Sequence, residues 1–497
     1  MGGFANVLRS SWPTSGVVSI HPNSMDVIRT GKTDSGATKS HPTKVRRSEN
    51  DFRTDAPAGI SDAVCALHSA NVHMADEHAT PAIPLRGSWT AESEFVAPAA
   101  PDAISWRRLI LKYAIAMVAL YMLATVVRVY VRKYYIFLPD YVHSAFTPAP
   151  VVQGPTHIFF LITDHFEPLF SVERAQHFAD RYRAMAMQHR DSVGRPPQHT
   201  WFYPGDQNSP GIMGVLQKLT SEGLGEVELH YHHANDSSET LTVGLKFAIA
   251  RFQNYGFLKT VDGRTAFAFV HGNDSLDNAD GELCGVNDEL RILHNLGCFA
   301  DYTFPAVYHL AQPPFVNSLY AARDDPEPKS YRHRFPLLDL KRGAADLMIF
   351  QGPLVLAPSR SLRRLFVDVE DGNIHPAIPA SPTRVRRWVN ARVHVAERPD
   401  WEFIKVFAHG VSTPEDEDEV VGEHFEEALT ELEQHYNDGV RYVLHYVTAR
   451  EAYNLAMAAA SGAKGDPSAY LDSEIPPYIA TVRPIVASSP TPPTPAP

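Results

Sequence analysis

From residue 155 onward, short apolar segments alternate with longer amphipathic segments, and this alternation limits the possible folds more than any other feature of the chain. Short apolar segments are typical of buried strands, and long amphipathic segments are typical of surface helices. Two adjacent parallel strands need a crossover connection, which is usually a helix. The alternation therefore predicts an α/β domain with a largely parallel sheet.

Strands and helices can be assigned along this region from the pattern. Strands are predicted at residues 157–163, 200–203, 226–232, 266–271, 299–304, 347–350, 402–408 and 441–445. Helices are predicted at residues 172–189, 239–254, 287–296, 383–396, 423–436 and 449–460. Seven or eight β-α units over about 300 residues fit a distorted (β/α) barrel better than an open doubly wound sheet. The open sheet is the alternative, although no G-x-G-x-x-G motif follows the first strand.

A long apolar segment precedes this region at residues 109–131. A run of about 20 apolar residues can cross the hydrocarbon core of a membrane. Its cations, Lys112 and Arg128, stand near the two ends, where their side chains can reach the interface. The sequence therefore predicts one transmembrane helix at residues 105–133, with a buried helix of a soluble protein as the alternative. The basic residues on the two sides nearly balance, so the positive-inside rule does not give the orientation.

The remaining segments have the composition of irregular chain. Residues 1–104 are rich in Ser, Thr, Pro, Ala and His and show no helical or strand period, which predicts disorder. Residues 134–155 are predicted to be a linker, residues 156–465 the β/α domain, and residues 466–497 a Pro-rich tail.

Charge and cysteine content exclude several classes of protein. The formal net charge of −12 argues against a general nucleic-acid binder, so no nucleic-acid partner is expected. The three cysteines include no C-x-x-C pair. Their spacing excludes a zinc site built from cysteines and a disulfide framework.

Three histidines, His230, His232 and His233, lie at the end of the third predicted strand. Strand alternation places Glu226, Glu228, His230 and His232 on one face of that strand. Imidazole is a frequent ligand of divalent metal ions. The cluster predicts a metal site, and a polar surface strand is the alternative.

Polar side chains also follow the other predicted strands. In a β/α domain the reactive residues lie at the carboxyl ends of the strands, where the loops converge. The strand ends carry Asp164, His165, Glu167, Asp206, His271, Asn273, His409 and His445. This combination indicates metal-assisted hydrolysis, in which histidines and a carboxylate hold a divalent ion. A nearby carboxylate would accept a proton, and His409, at a different strand end, would donate one to the leaving group.

The order of these motifs resembles the polysaccharide deacetylase superfamily. The motifs are Asp164-His165, the histidine cluster, and Phe407-Ala408-His409 after a late strand. Further stretches are similar to a divergent bacterial branch of the superfamily: D-H-F-E-P, H-G-N, C-G-V-N-D-E-L, G-C-F-A-D-Y-T-F-P and L-H-Y-V-T-A-R-E. The resemblance covers roughly residues 155–465. It implies a distorted (β/α) barrel, a divalent ion that is commonly zinc, and removal of N- or O-acetyl groups from a polysaccharide outside the cytoplasmic membrane.

The resemblance also implies roles for individual residues. Asp164 matches the aspartate that acts as the catalytic base, and His165 then stands at the position of the metal-binding aspartate. If the match is shifted by one position, Asp164 itself becomes the metal-binding aspartate. His230 and His233 are three positions apart where the superfamily spacing is four, whereas strand alternation favours His230 with His232. His409 matches the catalytic histidine.

The other strand-end residues are predicted to contact substrate. They are Glu167, Asp206, His271, Asn273 and His445. Two alternatives to a deacetylase are a non-catalytic carbohydrate-binding or assembly protein on a degenerate barrel, and a glycoside hydrolase that uses Asp/Glu carboxylates.

Overall fold

The computed structural model describes residues 106–148, 150–358 and 366–482. Residues 1–104, for which disorder is predicted, lie outside the described residues, as do residues 483–497 of the predicted tail. Within the described part of the chain, the helices are α1 (Trp106–Val131), α2 (Leu138–Phe146), α3 (Val172–Ala186), α4 (Pro210–Ser221), α5 (Ser238–Gln253), α6 (Glu289–Asn295), α7 (Leu338–Lys341), α8 (Pro382–Asn390), α9 (Pro414–Val421), α10 (Glu423–His435) and α11 (Ala449–Ala460).

The strands of the described residues include every predicted one. They are β1 (Thr156–His165), β2 (His199–Pro204), β3 (Gly225–Tyr231), β4 (Phe267–His271), β5 (Cys298–Asp301), β6 (Leu319–Ala322), β7 (Leu347–Phe350), β8 (Val355–Pro358), β9 (Val367–Glu370), β10 (Asn373–Ile374), β11 (His394–Val395), β12 (Arg398–Ala408) and β13 (Tyr442–Tyr446).

Most of the strands form one mixed sheet in the order β10-β12-β1-β2-β3-β4-β5-β7-β6, and β13 also pairs with β1. The pairs along this path are parallel except for β6 with β7. The predicted α/β class with a largely parallel sheet is confirmed. The predicted barrel is not, because the sheet is not closed: the antiparallel strand β6 occupies the edge of β7 that a barrel would need for closure.

Helices cover both faces of this open sheet. Alternate residues of β1 divide between two cores, with Phe160 and Ile162 beneath α3, α4 and α10 and with Phe159 and Leu161 against α11. Every residue of α11 is buried. It begins with a capping box in which Thr448 and Glu451 satisfy each other's backbone N–H groups.

The parallel strands bring most of the predicted site residues to one edge. The strand register aligns His165 with Phe202, Pro204 with His230, and Tyr231 with His271. The end of β12 lies beside the end of β1 at the same edge. This carboxyl-terminal edge is where the site is built.

The helix α1 has 26 residues, a mean hydropathy of 2.0 over an 18-residue window, and no buried residues. It is the one helix of the described residues that is long and apolar enough to be a membrane span or a signal sequence. The predicted linker that follows is structured: Tyr134 and Phe137 pack against Leu354, and α2 follows them. Residues 466–482 of the predicted tail also pack on the domain, where Tyr478 is buried and its hydroxyl lies 2.8 Å from Glu228.

Candidate metal centre

Glu167, His230 and His232 each bring one ligand atom to a common point. The Nε2 atoms of His230 and His232 lie 3.2 Å apart. Glu167 Oε1 lies 3.3 Å from His230 Nε2 and 3.2 Å from His232 Nε2. The three atoms therefore form a nearly equilateral triangle, which we call the open cluster.

This triangle has the size that a tetrahedral ion requires. Zinc binds histidine nitrogen at about 2.0–2.1 Å, so two ligand atoms of a tetrahedral site lie about 3.3–3.4 Å apart. The separations of 3.2 and 3.3 Å in the open cluster agree with that value. The side chains of Glu167 and His232 are 17% and 34% exposed, so one side of the triangle is open to solvent.

His232 is held in place from two directions. Its Nδ1 atom lies 3.2 Å from Asp206 Oδ1, in the loop after β2. The backbone of Gly272 lies directly against the imidazole, since a Cβ atom at this position would come 2.3 Å from His232 Cδ2. A glycine is therefore required in the H-G-N stretch for His232 to keep this orientation.

The charges of the open cluster match a cation. Burial opposes ionisation of Glu167, but hydrogen bonds with His230 and His232 lower the pKa of its carboxyl far below the usual value. Burial likewise opposes protonation of His232, yet its hydrogen bonds with Asp206 and Glu167 raise its pKa to about 10. A metal ion would replace the proton on Nε2 of His232, while Asp206 would keep the proton on Nδ1.

Two further histidine rings lie beside the open cluster. The ring centroid of His165 is 4.7 Å from that of His230 and 4.6 Å from that of His409. His165 is buried, and burial lowers its pKa well below the usual value, with the charges of His409 and His230 acting in the same direction. A neutral imidazole, His165, thus lies next to an exposed one, His409.

Asp164, predicted as base or metal ligand, lies outside the open cluster. It is completely buried, its Oδ1 accepts the Gly410 N–H at 2.6 Å, and its Oδ2 lies 3.0 Å from His199 Nε2. Strand alternation explains the difference, because Asp164 and Ile162 lie on the face of β1 that is covered by α3, whereas His165 points to the other face. Asp164 therefore fixes the loop that carries His409.

A second group of potential ligands includes His233, the residue after His232 along the chain. His233, His271, Cys284 and Glu289 are all buried and lie close enough to hold a metal ion. Glu289 Oε1 is 3.1 Å from His233 Nε2, and Glu289 Oε2 is 3.4 Å from Cys284 Sγ. We call this group the closed cluster.

The protons of the closed cluster are already assigned by hydrogen bonds. His271 Nδ1 accepts the backbone N–H groups of Asn273 and Ser275 at 3.1 and 3.3 Å. Because burial lowers the pKa of His271 to about 3, its ring is neutral and carries one proton. Since Nδ1 accepts hydrogen bonds, this proton is on Nε2, which is the atom that would have to bind a metal ion. Glu289 also accepts the N–H of Asp277 at 2.6 Å. The closed cluster is therefore organised around the Glu289 carboxylate.

Two predicted substrate contacts are placed elsewhere. Asn273 Nδ2 donates to the carbonyl oxygens of His233 and Leu283, so it holds the loop after β4. His445 pairs with Phe159 in the sheet and lies 2.9 Å from His157 Nδ1. At about 3.3 Å per residue, His445 lies about 16 Å along β1 from Asp164, away from the site.

Several residues of this region have no role that was predicted from the sequence, including His199, Gly272, Cys284 and Glu289. The burial of Asp274 raises its carboxyl pKa, while the charges of His309 and His409 lower it, so this side chain also lies near the open cluster. Comparison of the sequence with models of known protein families and with curated proteins finds nothing that matches it.

Proposed function

We propose that the chain is a membrane-anchored, metal-dependent hydrolase that removes acetyl or other acyl groups from a polysaccharide. The observation that carries the proposal is the open cluster, whose three ligand atoms have tetrahedral spacing and an exposed side. Asp206 supports it, because metal-binding histidines commonly donate their other ring N–H to a carboxylate. The motif resemblance to polysaccharide deacetylases is the reason for proposing an acetyl group as the acyl group that is removed and a polysaccharide as the substrate.

Two histidines and a glutamate are a ligand set that zinc uses in hydrolytic enzymes. A divalent ion such as zinc, bound by Glu167, His230 and His232, would polarise the acyl carbonyl. Asp206 would keep the His232 ring in the tautomer that leaves Nε2 free to bind.

Proton transfer is assigned to the two neighbouring histidines. Water attacks the acyl carbon, the bond from that carbon to the sugar oxygen or nitrogen breaks, and a carboxylic acid is released. His165, which is neutral, accepts the proton of the water, and His409 donates a proton to the leaving atom. Asp164 positions His409 through the Gly410 N–H.

A glycoside hydrolase needs two available carboxyl groups. Asp164 is completely buried with both oxygens hydrogen-bonded, and Glu167 is engaged by two histidines. These contacts favour metal-assisted deacylation over the two-carboxylate mechanism. A non-catalytic carbohydrate-binding protein differs from both, because it would bind acetylated sugar without releasing acetate.

The test uses the full chain in detergent, loaded with zinc and freed of excess ion. Zinc content and acetate release from N- and O-acetylated oligosaccharides are measured together. We expect the double substitution His230→Ala with His232→Ala to abolish both. His409→Gln keeps the zinc and lowers acetate release by about 10²- to 10⁴-fold.

His435→Ala is the matched control, since this histidine is 60% exposed on α10. It should change neither readout. Retention of stoichiometric zinc by the double variant contradicts the ligand assignment, and acetate release that survives a chelator contradicts the metal-dependent mechanism.

For the location, we propose that α1 is a single membrane span and that the domain after it lies outside the cytoplasmic membrane. A reporter fused to the C-terminus tests the orientation. Activity of a reporter that works only in the cytoplasm would reverse it.

A further inference from the structure

The segment that follows α1 is attached to the same edge of the sheet that carries the open cluster. Tyr134 and Phe137 pack against Val307 and Leu354, which follow the carboxyl ends of β5 and β7. In α2, Asp140 Oδ2 accepts the backbone N–H of Val316 at 3.0 Å. The connection between α1 and the domain is therefore a packed joint and not a flexible tether.

The antiparallel pair of strands β8 and β9 also lies at this edge, and the start of β9 contacts α1. Arg128 of α1 forms an ion pair with Asp368 and lies over the Phe366 ring, 5.5 Å from its centroid. The Phe366 ring also stacks on Tyr121, with centroids 5.7 Å apart. Tyr121 lies seven residues before Arg128, which is about 10 Å along the helix. Phe366 therefore lies beside the apolar part of α1.

Short stretches of the chain connect the residues that contact α1 with residues that lie beside the open cluster. β9 is followed by β10, where Ile374 is level with Ala408, the residue before His409. On the other side, Arg132 lies over the Tyr308 ring, 4.7 Å from its centroid. The next residue, His309, is exposed and acts electrostatically on Asp274, as His409 does. The helix α1 and the solvent-exposed side of the open cluster, which we call its mouth, thus lie at the same edge of the domain.

A membrane around α1 would lie against this edge. No residue of α1 is fully buried by protein, most of its side chains are exposed, and an apolar helix of 26 residues is stable in this state when lipid surrounds it. The exposed apolar side chains of Val367 and Leu310, which are 48% and 46% exposed, lie on the same edge. The rigid joint would then hold the site at the level of the lipid headgroups.

We infer that the mouth of the open cluster faces the membrane surface and that the substrate is an acylated amphiphile held in the bilayer, such as a glycolipid or a lipid-linked glycan. This inference rests on the proposed function and narrows its substrate class. A site that is held rigidly at the bilayer meets acyl groups near the headgroup layer, whereas a freely dissolved polymer would need a domain that reaches outward.

The first experiment measures where the mouth lies. The full chain with Cys65→Ser receives one surface cysteine for bimane labelling, and the two remaining cysteines, Cys284 and Cys298, are buried. Leu310→Cys and Val367→Cys report on the mouth edge. Val440→Cys is the control, since Val440 is 76% exposed and precedes β13 at the opposite end of β1.

The labelled chains are placed in phosphatidylcholine vesicles that contain lipid with a nitroxide on its headgroup. We expect quenching at least twofold stronger at Leu310→Cys and Val367→Cys than at Val440→Cys. Equal quenching at all three positions overturns the inference. It would leave the zinc and acetate results of the proposed function unaffected, so the two failures can be told apart.

The second experiment compares two zinc-loaded reactions of the unlabelled chain in vesicles. One probe is an acetylated oligosaccharide attached to a dialkylglycerol in the same vesicles, and the other is the same oligosaccharide in solution. We expect at least tenfold faster acetate release from the anchored probe at equal total concentration. An equal or faster rate on the soluble probe overturns the inference but leaves the hydrolase proposal intact, and no release from either probe contradicts both.

Discussion

His232 and His233 are neighbours in the sequence, but their side chains belong to different clusters. His232 lies in the open cluster between Glu167 and Asp206, and it is 34% exposed. His233 lies in the closed cluster beside Glu289, and it is 3% exposed. Adjacent residues at the end of a strand point to opposite sides, so one backbone position separates two environments.

The two clusters differ in which ring nitrogens of their histidines carry a proton and which are free to bind a metal ion. In the open cluster the three Nε2 and Oε1 atoms converge, and the second nitrogen of His232 has its own carboxylate partner. In the closed cluster the backbone occupies Nδ1 of His271, which leaves the proton on the nitrogen that faces the group. Proximity of ligand-type residues is therefore insufficient for metal binding, because the lone pairs must also be free.

The largest expected effect comes from substituting the two neighbouring histidines separately. His232→Ala removes a ligand of the open cluster and should weaken zinc binding by roughly 10³-fold, or about 4 kcal/mol. His233→Ala should leave the zinc affinity unchanged. Competition with a fluorescent zinc chelator measures both constants. A loss of affinity in His233→Ala with none in His232→Ala would exchange the roles of the two clusters.

The next effect tests whether the closed cluster is structural. Glu289→Ala leaves His233 and the N–H of Asp277 without their buried partner, so it should lower the free energy of unfolding by about 3 kcal/mol. The zinc affinity of the folded protein should stay the same. Denaturant unfolding of the full chain in detergent measures the change, with exposed Glu282→Ala as the control. Normal stability together with lost zinc would instead make Glu289 a ligand.

Strand alternation was sufficient to predict that His230 and His232 lie on the same side of the chain, because it depends only on the local period of two. It could not reveal the partners that come from distant segments. Glu289 lies in α6, 56 residues after His233, and Gly272 approaches His232 from the loop after β4. The open sheet was predicted only as the alternative, because the four-residue antiparallel strand β6 at residues 319–322 was not predicted from the sequence.

Each cluster has a histidine with a carboxylate behind it, and these carboxylates give a matched pair of variants. Asp206 lies 3.2 Å from His232 Nδ1, and Asp236 lies 3.6 Å from His233 Nδ1. Asp206→Asn should weaken zinc binding by about 10- to 100-fold, because it removes the acceptor that orients the ligand ring. Asp236→Asn should leave zinc binding unchanged. Unchanged zinc affinity in Asp206→Asn, measured by the same chelator competition, would show that Asp206 does not orient a ligand.

The last expected effect concerns the proton next to the closed cluster. Burial raises the pKa of Asp277 to about 8, and its Oδ2 accepts the N–H of Ser330 at 2.6 Å. The folded state therefore binds this proton more tightly than the unfolded state, whose carboxyl has the usual pKa. The difference lowers the stability of the folded state as the pH rises from about 4 to about 8. Asp277→Asn keeps the shape without the titrating group.

We expect this variant to gain stability over the wild-type chain between pH 5 and pH 9, by up to about 4 kcal/mol in the free energy of unfolding, because three pH units below a pKa of about 8 contribute roughly 1.4 kcal/mol each. Denaturant titrations at the two pH values measure the difference, and the zinc affinity should not change because Asp277 is not part of the open cluster. A difference that is independent of pH would mean that Asp277 is ionised in the folded protein. The closed cluster would then hold a negative charge beside Glu289 and would be a stronger competitor for the metal ion.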